Sequence, residues 1–138
     1  MTQRRGGCHC ARVRYEVGSV FDAVYCHCSI CRRITGAPVY AGIAVPTRDF
    51  RVVSGEPTAY ASSDHGTRWF CSNCGTQLHC TDTRSDCVGV PIGTLDEPEA
   101  VSPKIHQWTG SQLAWFDIAD DLPRVADGTL PHPTKRNS

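Results

Sequence analysis

Several features are scarce in this chain of 138 residues, and each scarcity excludes something. No sign of charge dominates: 14 Lys and Arg balance 14 Asp and Glu. A neutral balance provides no field for a nucleic-acid backbone or an anionic membrane surface, which argues against an electrostatic nucleic-acid binder. Long apolar runs are missing; none approaches the ~18 residues that a membrane span requires. The opening "MTQRRGGCHC" carries charge but no apolar stretch after it, so it does not read as a secretory signal, and a cytoplasmic home is expected. Helical periodicity is also scarce. Only "SICRRITG" suggests a turn or two of helix, with Ser29 as N-cap and Gly36 closing it.

Short strands take the place of helices. In "ARVRYEV" residues Val13, Tyr15 and Val17 fall on one face, the alternation of a half-buried strand. "VYAGIAVP", "FRVVSG", "TAYASS", "TRWFCS", "TQLHCTD" and "CVGVPIG" follow at close intervals, bounded by Gly, Pro, Ser or Asp. "PTRDF" and "GTLDEP" read as turns or 3₁₀ pieces. This pattern predicts a mainly β domain with no internal boundary, spanning 1–126. The polar, proline-containing end, 127–138, is expected to be an extended or flexible tail.

Cysteine is plentiful, at nine residues. An odd number without an export signal speaks against a disulfide framework, and tight clustering favours metal. "FCSNCGTQ" holds Cys71 and Cys74 as a C-x-x-C followed by Gly75, the pattern of a zinc knuckle. A redox C-x-x-C would call for a strand-to-helix context, whereas strand-like sequence flanks this one on both sides. Cys8 and Cys10 form a second pair, so two plus two closes a four-cysteine structural zinc site. "YCHCSICRR" then leaves Cys26, Cys28 and Cys31 as a group of three. Three protein ligands with an open fourth position is the arrangement of a catalytic zinc; a second structural site completed by His27, Cys80 or Cys87 is the alternative. Cys80 and Cys87 read more simply as buried core residues. Three thiolates weaken zinc as a Lewis acid, and zinc accepts a fourth sulfur readily, so a small-molecule thiol suits the open position better than water.

Together, "GGCHCARVRYEV", "CHCSICRRITGAP", "FCSNCGTQL" and "IHQWTGSQLAWFDIADDLPR" resemble the glutathione-dependent formaldehyde-activating enzyme family, which includes centromere protein V-like members. The likeness runs from Gly6 to Arg124. It implies an Mss4-like fold of bent antiparallel sheets with two zinc ions. Cys8, Cys10, Cys71 and Cys74 would hold the structural ion, and Cys26, Cys28 and Cys31 the catalytic one. The implied reaction is of carbon–sulfur lyase type, joining formaldehyde to glutathione. A non-catalytic zinc module for protein or nucleic acid, or a zinc-based redox sensor, is the competing class. Arg32 and Arg33 could meet glutathione carboxylates or simply line a solvated helix face. His27 is left unassigned. His79 and His106 read as core or surface histidines, and Trp108, Trp115 and Phe116 as packing groups, although an exposed tryptophan could line a cleft.

Overall fold

The alternation in "ARVRYEV" is realised as expected: Val13, Tyr15 and Val17 are all buried. The computed structural model describes residues 3–128. The chain runs β1 (Arg4–Gly7), β2 (Arg14–Val17), β3 (Asp22–Cys26), α1 (Ser29–Thr35), β4 (Tyr40–Pro46), β5 (Phe50–Ser54), β6 (Thr58–Ala61), β7 (Gly66–Phe70), β8 (Gln77–Asp82), β9 (Cys87–Pro91) and β10 (Ile105–Gln107), with short 3₁₀ turns between. Of the tail expected over 127–138, residues 129–138 lie outside the described residues. Among the described residues no helix is long and apolar enough to cross a membrane.

Two sheets form. The smaller has the order β1-β2-β5 and the larger β10-β3-β4-β9-β8-β7-β6. All pairings are antiparallel except β10 with β3, which makes the larger sheet mixed. Tyr15 and Val17 from the small sheet share one apolar cluster with Ile43, Val45, Leu78, Val88 and Val90 from the large one. Burying each such side chain contributes about 1.5–3 kcal/mol, so this shared core is what holds the sheets face to face. The Tyr15 hydroxyl bonds the Thr94 hydroxyl at 2.6 Å. Gly6 lies directly opposite Tyr15, and a Cβ there would overlap that hydroxyl and the Thr94 carbonyl. This is why an edge strand reads "RRGG".

His79 of β8 is also buried, against Trp69 (centroids 5.4 Å, nearly parallel) and Phe50 (4.5 Å). Its Nδ1 has no hydrogen-bond partner. Burial pushes this imidazole down to about 4. The folded state therefore holds it neutral while the unfolded chain protonates near 6.5. Stability present above pH 6.5 is lost as pH falls toward 4, by roughly 2 kcal/mol between pH 7 and 5. Urea unfolding of a His79→Leu variant at those two pH values is expected to show a difference smaller than wild type by that amount. Identical differences would exclude His79 as the source.

Candidate metal centres

Two turns from different sheets meet at the first centre. Cys8 and Cys10 lie in the β1–β2 turn, where the Cys8 N–H donates to the Val13 carbonyl and the Ala11 N–H to that of Cys8, both at 3.0 Å. Cys71 and Cys74 lie in the β7–β8 turn, closed by the Cys71 N–H to the Thr76 carbonyl at 3.0 Å and the Gly75 N–H to that of Cys71 at 2.7 Å. Gly75 has φ +83°, the left-handed conformation the knuckle turn needs. The His9 N–H donates to the Thr76 hydroxyl at 3.1 Å and ties one turn to the other. The Sγ atoms of Cys8, Cys10, Cys71 and Cys74 all lie within 4.8 Å of one another.

Backbone and side-chain donors point at two of these sulfurs. The Val13 N–H donates to Cys8 Sγ at 3.2 Å. Thr76, through its hydroxyl and its N–H, holds the Cys74 thiol down at about 5. Cys8 and Cys10 are 3.6 Å apart at sulfur, and Cys10 and Cys71 3.7 Å. A disulfide would need ~2.05 Å, whereas ligands at ~2.3 Å from a tetrahedral zinc stand about 3.8 Å apart. The spacing fits that ion.

The second centre forms where β3 passes into α1. Cys26 is the last residue of β3, Cys28 is the N-cap of α1, and Cys31 lies in the first turn. The cap is thus Cys28, one residue before the Ser29 expected: its Sγ accepts the Cys31 N–H at 3.3 Å. Gly36 closes the helix with φ +70° as anticipated. Capping geometry brings residues i and i+3 together, and the strand end delivers Cys26, so all three Sγ atoms lie within 4.8 Å. Hydrogen bonds from the Cys26 and Cys31 thiols hold Cys28 far down, at about 2, while Cys26 is pushed up by the same contact. The Cys26 and Cys31 thiols thus donate toward the Cys28 sulfur. A divalent cation would release the remaining protons, as metal coordination of thiols does. The all-sulfur donor set therefore suits zinc here also. Neither Cys80, Cys87 nor His27 joins this group within the described residues.

His27, unassigned from the sequence, is fully buried behind the cysteines. Its Nε2 lies 2.9 Å from His106 Nδ1, and His106 Nε2 lies 2.9 Å from Asp120 Oδ2. With an ionised Asp120 accepting from His106, His106 Nδ1 must accept from His27 Nε2–H, so His27 Nδ1 carries the lone pair. The His27 N–H also donates to the Gln107 carbonyl at 3.0 Å. These bonds lie beside the parallel β3–β10 pairing and pin the cysteine turn to the segment ending near Arg124.

A cavity of about 540 Å³ opens beside the second centre, and Cys28, Arg68, Cys80, Arg84 and Trp108 are among its lining residues. Cys80 is half-buried and faces this space, contrary to the core position expected, because Gly89 on the neighbouring strand leaves room for its sulfur. Cys87 is buried. Arg32 and Arg33 do not line the cavity. Trp108 does, in a left-handed conformation, and is 41% exposed. Trp115 is 74% exposed and does not pack onto the sheets as expected, since its segment carries no strand; Phe116 is half-buried beside it.

The fold and its centres define a small, mainly β protein in which one four-sulfur site bridges two sheets and a three-sulfur site opens on a cleft. The sequence pattern of the glutathione-dependent formaldehyde-activating enzyme family matches residues 3–111, and the chain belongs to this family. A Halomonas elongata protein named "Putative glutathione-dependent formaldehyde-activating enzyme" is 30% identical over 124 residues, covering 82% of this chain and 79% of that one. A crystal structure of a Rhodobacter sphaeroides protein is similar with a TM-score of 0.57 at 26% identity, covering 88% of this chain and 99% of that chain.

Proposed function

We propose that the chain is a zinc-dependent enzyme of carbon–sulfur lyase type that joins formaldehyde to glutathione. The observation that carries this reading is the group of three sulfurs within 4.8 Å, one of which, Cys28, opens on a cavity. Family membership and the name of the Halomonas relative support glutathione and formaldehyde as the substrates. Cys26, Cys28 and Cys31 would hold the catalytic zinc, and Cys8, Cys10, Cys71 and Cys74 the structural one. When bound, the catalytic ion would supply an electrophilic position at which a small thiol gives up its proton near neutral pH.

The remaining contributions come from the chain itself. The Cys31 N–H fixes Cys28 Sγ, and the His27–His106–Asp120 chain fixes the turn that carries all three sulfurs. A 540 Å³ cavity lies within the ~300–1,000 Å³ range of small-molecule sites and suits a tripeptide. At its wall Arg84 and Asp82 form a pair with contacts of 2.8 and 3.0 Å, a cation and an anion side by side that match the zwitterionic end of an amino acid. Because the thiol adds to formaldehyde in solution too, the gain is chiefly proximity and orientation. The reading takes residues 1–126 as one unit on an Mss4-like frame, with a cytoplasmic home and a small-molecule partner rather than nucleic acid or membrane. The neutral charge balance supports that partner class.

Calorimetric titration of glutathione into zinc-loaded protein tests this. Saturable heat is expected with glutathione and none with S-methylglutathione, which cannot offer a thiolate. Two zinc ions per chain with no heat from glutathione would overturn glutathione as the substrate.

A further inference from the structure

Arg68 lies in β7, opposite Cys80 of β8. Its Nη2 donates to Cys31 Sγ at 3.6 Å, the single hydrogen bond this side chain makes among the described residues. Among the described residues it pairs with no carboxylate. A guanidinium offers five N–H donors. Arg68 and Cys28 line one open space together, so the donors not spent on Cys31 have that space beside them. Every other arginine near the cluster differs. Arg84 is engaged by Asp82, the Nε of Arg32 is buried without a partner, and Arg33 is exposed. A half-buried cation without an acid partner is held at a cost, and it is found where an anion is to be met.

Two negative charges arise at this place. Three thiolates around a divalent ion leave one net negative charge, which Arg68 offsets from its position against Cys31. The second is the charge of the incoming thiolate, which moves onto oxygen during the reaction. Building on the function proposed above, we propose that Arg68 is a catalytic residue, donating to the aldehyde oxygen as that oxygen becomes an alkoxide. The thiolate sulfur forms a bond to the formaldehyde carbon, and the π pair of the carbonyl moves onto oxygen. The oxygen then takes up one proton, matching the one the thiol gave up, and no oxidant or reductant enters. That oxygen is two bonds from the attacking sulfur. A donor in contact with a cluster sulfur therefore reaches it before it reaches either carboxylate of glutathione, which many more bonds separate from the thiol. Donors aimed at charge that develops in the transition state raise kcat rather than binding.

The test compares zinc-loaded wild type with Arg68→Ala and Arg68→Lys. Exchange NMR of glutathione and formaldehyde gives the rate at saturating thiol; zinc content and calorimetric glutathione affinity are measured alongside. Both variants are expected to keep two zinc ions and to bind glutathione. In Arg68→Ala kcat falls about 100- to 1,000-fold, the usual effect of removing one oxyanion donor, and added methylguanidinium restores part of it. Arg68→Lys keeps the charge but not the fork and falls at least tenfold; it carries the test alone if the alanine variant does not fold. Unchanged kcat in the lysine and alanine variants, or a loss confined to KM for glutathione, would overturn the role of Arg68 while leaving the enzyme reading in place. Wild type with no rate above the solution reaction would overturn that reading, and this assignment with it.

Discussion

Cys71→Ser is expected to yield insoluble or unfolded protein. Cys71 is buried within the apolar cluster that joins the two sheets, and its sulfur stands 3.7 Å from that of Cys10. The four-sulfur centre ties the β1–β2 turn of the small sheet to the β7–β8 turn of the large one. Metal binding at such a centre contributes on the order of 10 kcal/mol to folding, against a total stability of ~5–15 kcal/mol for a typical domain. A serine hydroxyl is a poor replacement for a thiolate, and it leaves a polar group in an apolar cluster. Cys80→Ser serves as the comparison: its sulfur borders a cavity and belongs to neither cluster, so that variant should stay soluble with two zinc ions. Circular dichroism, solubility and zinc content decide the matter. A soluble Cys71→Ser with native spectra would reject the structural assignment of this centre.

The parts of the molecule governed by local spacing were legible in the sequence. C-x-C and C-x-x-C bring sulfurs together through a single turn, so each pair and the group of three could be read locally, while joining Cys8 and Cys10 to Cys71 and Cys74 rested on the four ligands that a closed zinc site needs. Val13, Tyr15 and Val17 showed their strand by alternation. What escaped was set by contacts distant in sequence. β1 reads "RRGG", with no apolar period, because Gly6 must clear Tyr15 and Thr94. β3 was hidden because its last residue opens the cysteine motif, which drew attention as chemistry. The parallel β3–β10 pairing and the His27–His106 hydrogen bond beside it join residues about 80 positions apart. Arg68 gave one faint signal, a lone cation in a short strand-like run just before a metal knuckle. Arg32 and Arg33, adjacent to the ligands in sequence, were the more conspicuous candidates, yet helix geometry keeps both out of the cavity lining.

Cys28→Ala should leave a folded protein with one zinc ion per chain and no rate above the solution reaction. The fold survives because what the change removes locally is small. Cys28 Sγ caps α1 by accepting the Cys31 N–H, and losing a cap costs about 0.5–2 kcal/mol, a fraction of a domain's stability. The four-sulfur centre is untouched, so the sheets stay joined. The chemistry is lost because two sulfurs remain where three stood, and two thiolates without Cys28 form no closed set for a tetrahedral ion. Of the three cysteines it is Cys28 that lines the cavity, so its removal also takes away the one sulfur of the group that borders that space. Zinc content and thermal unfolding separate this outcome from global damage: one ion and a Tm lowered by a few degrees mark a local loss. Full activity in Cys28→Ala would exclude the three-sulfur centre as the place of reaction, since no other thiol cluster with metal-ligand spacing opens on that cavity among the described residues.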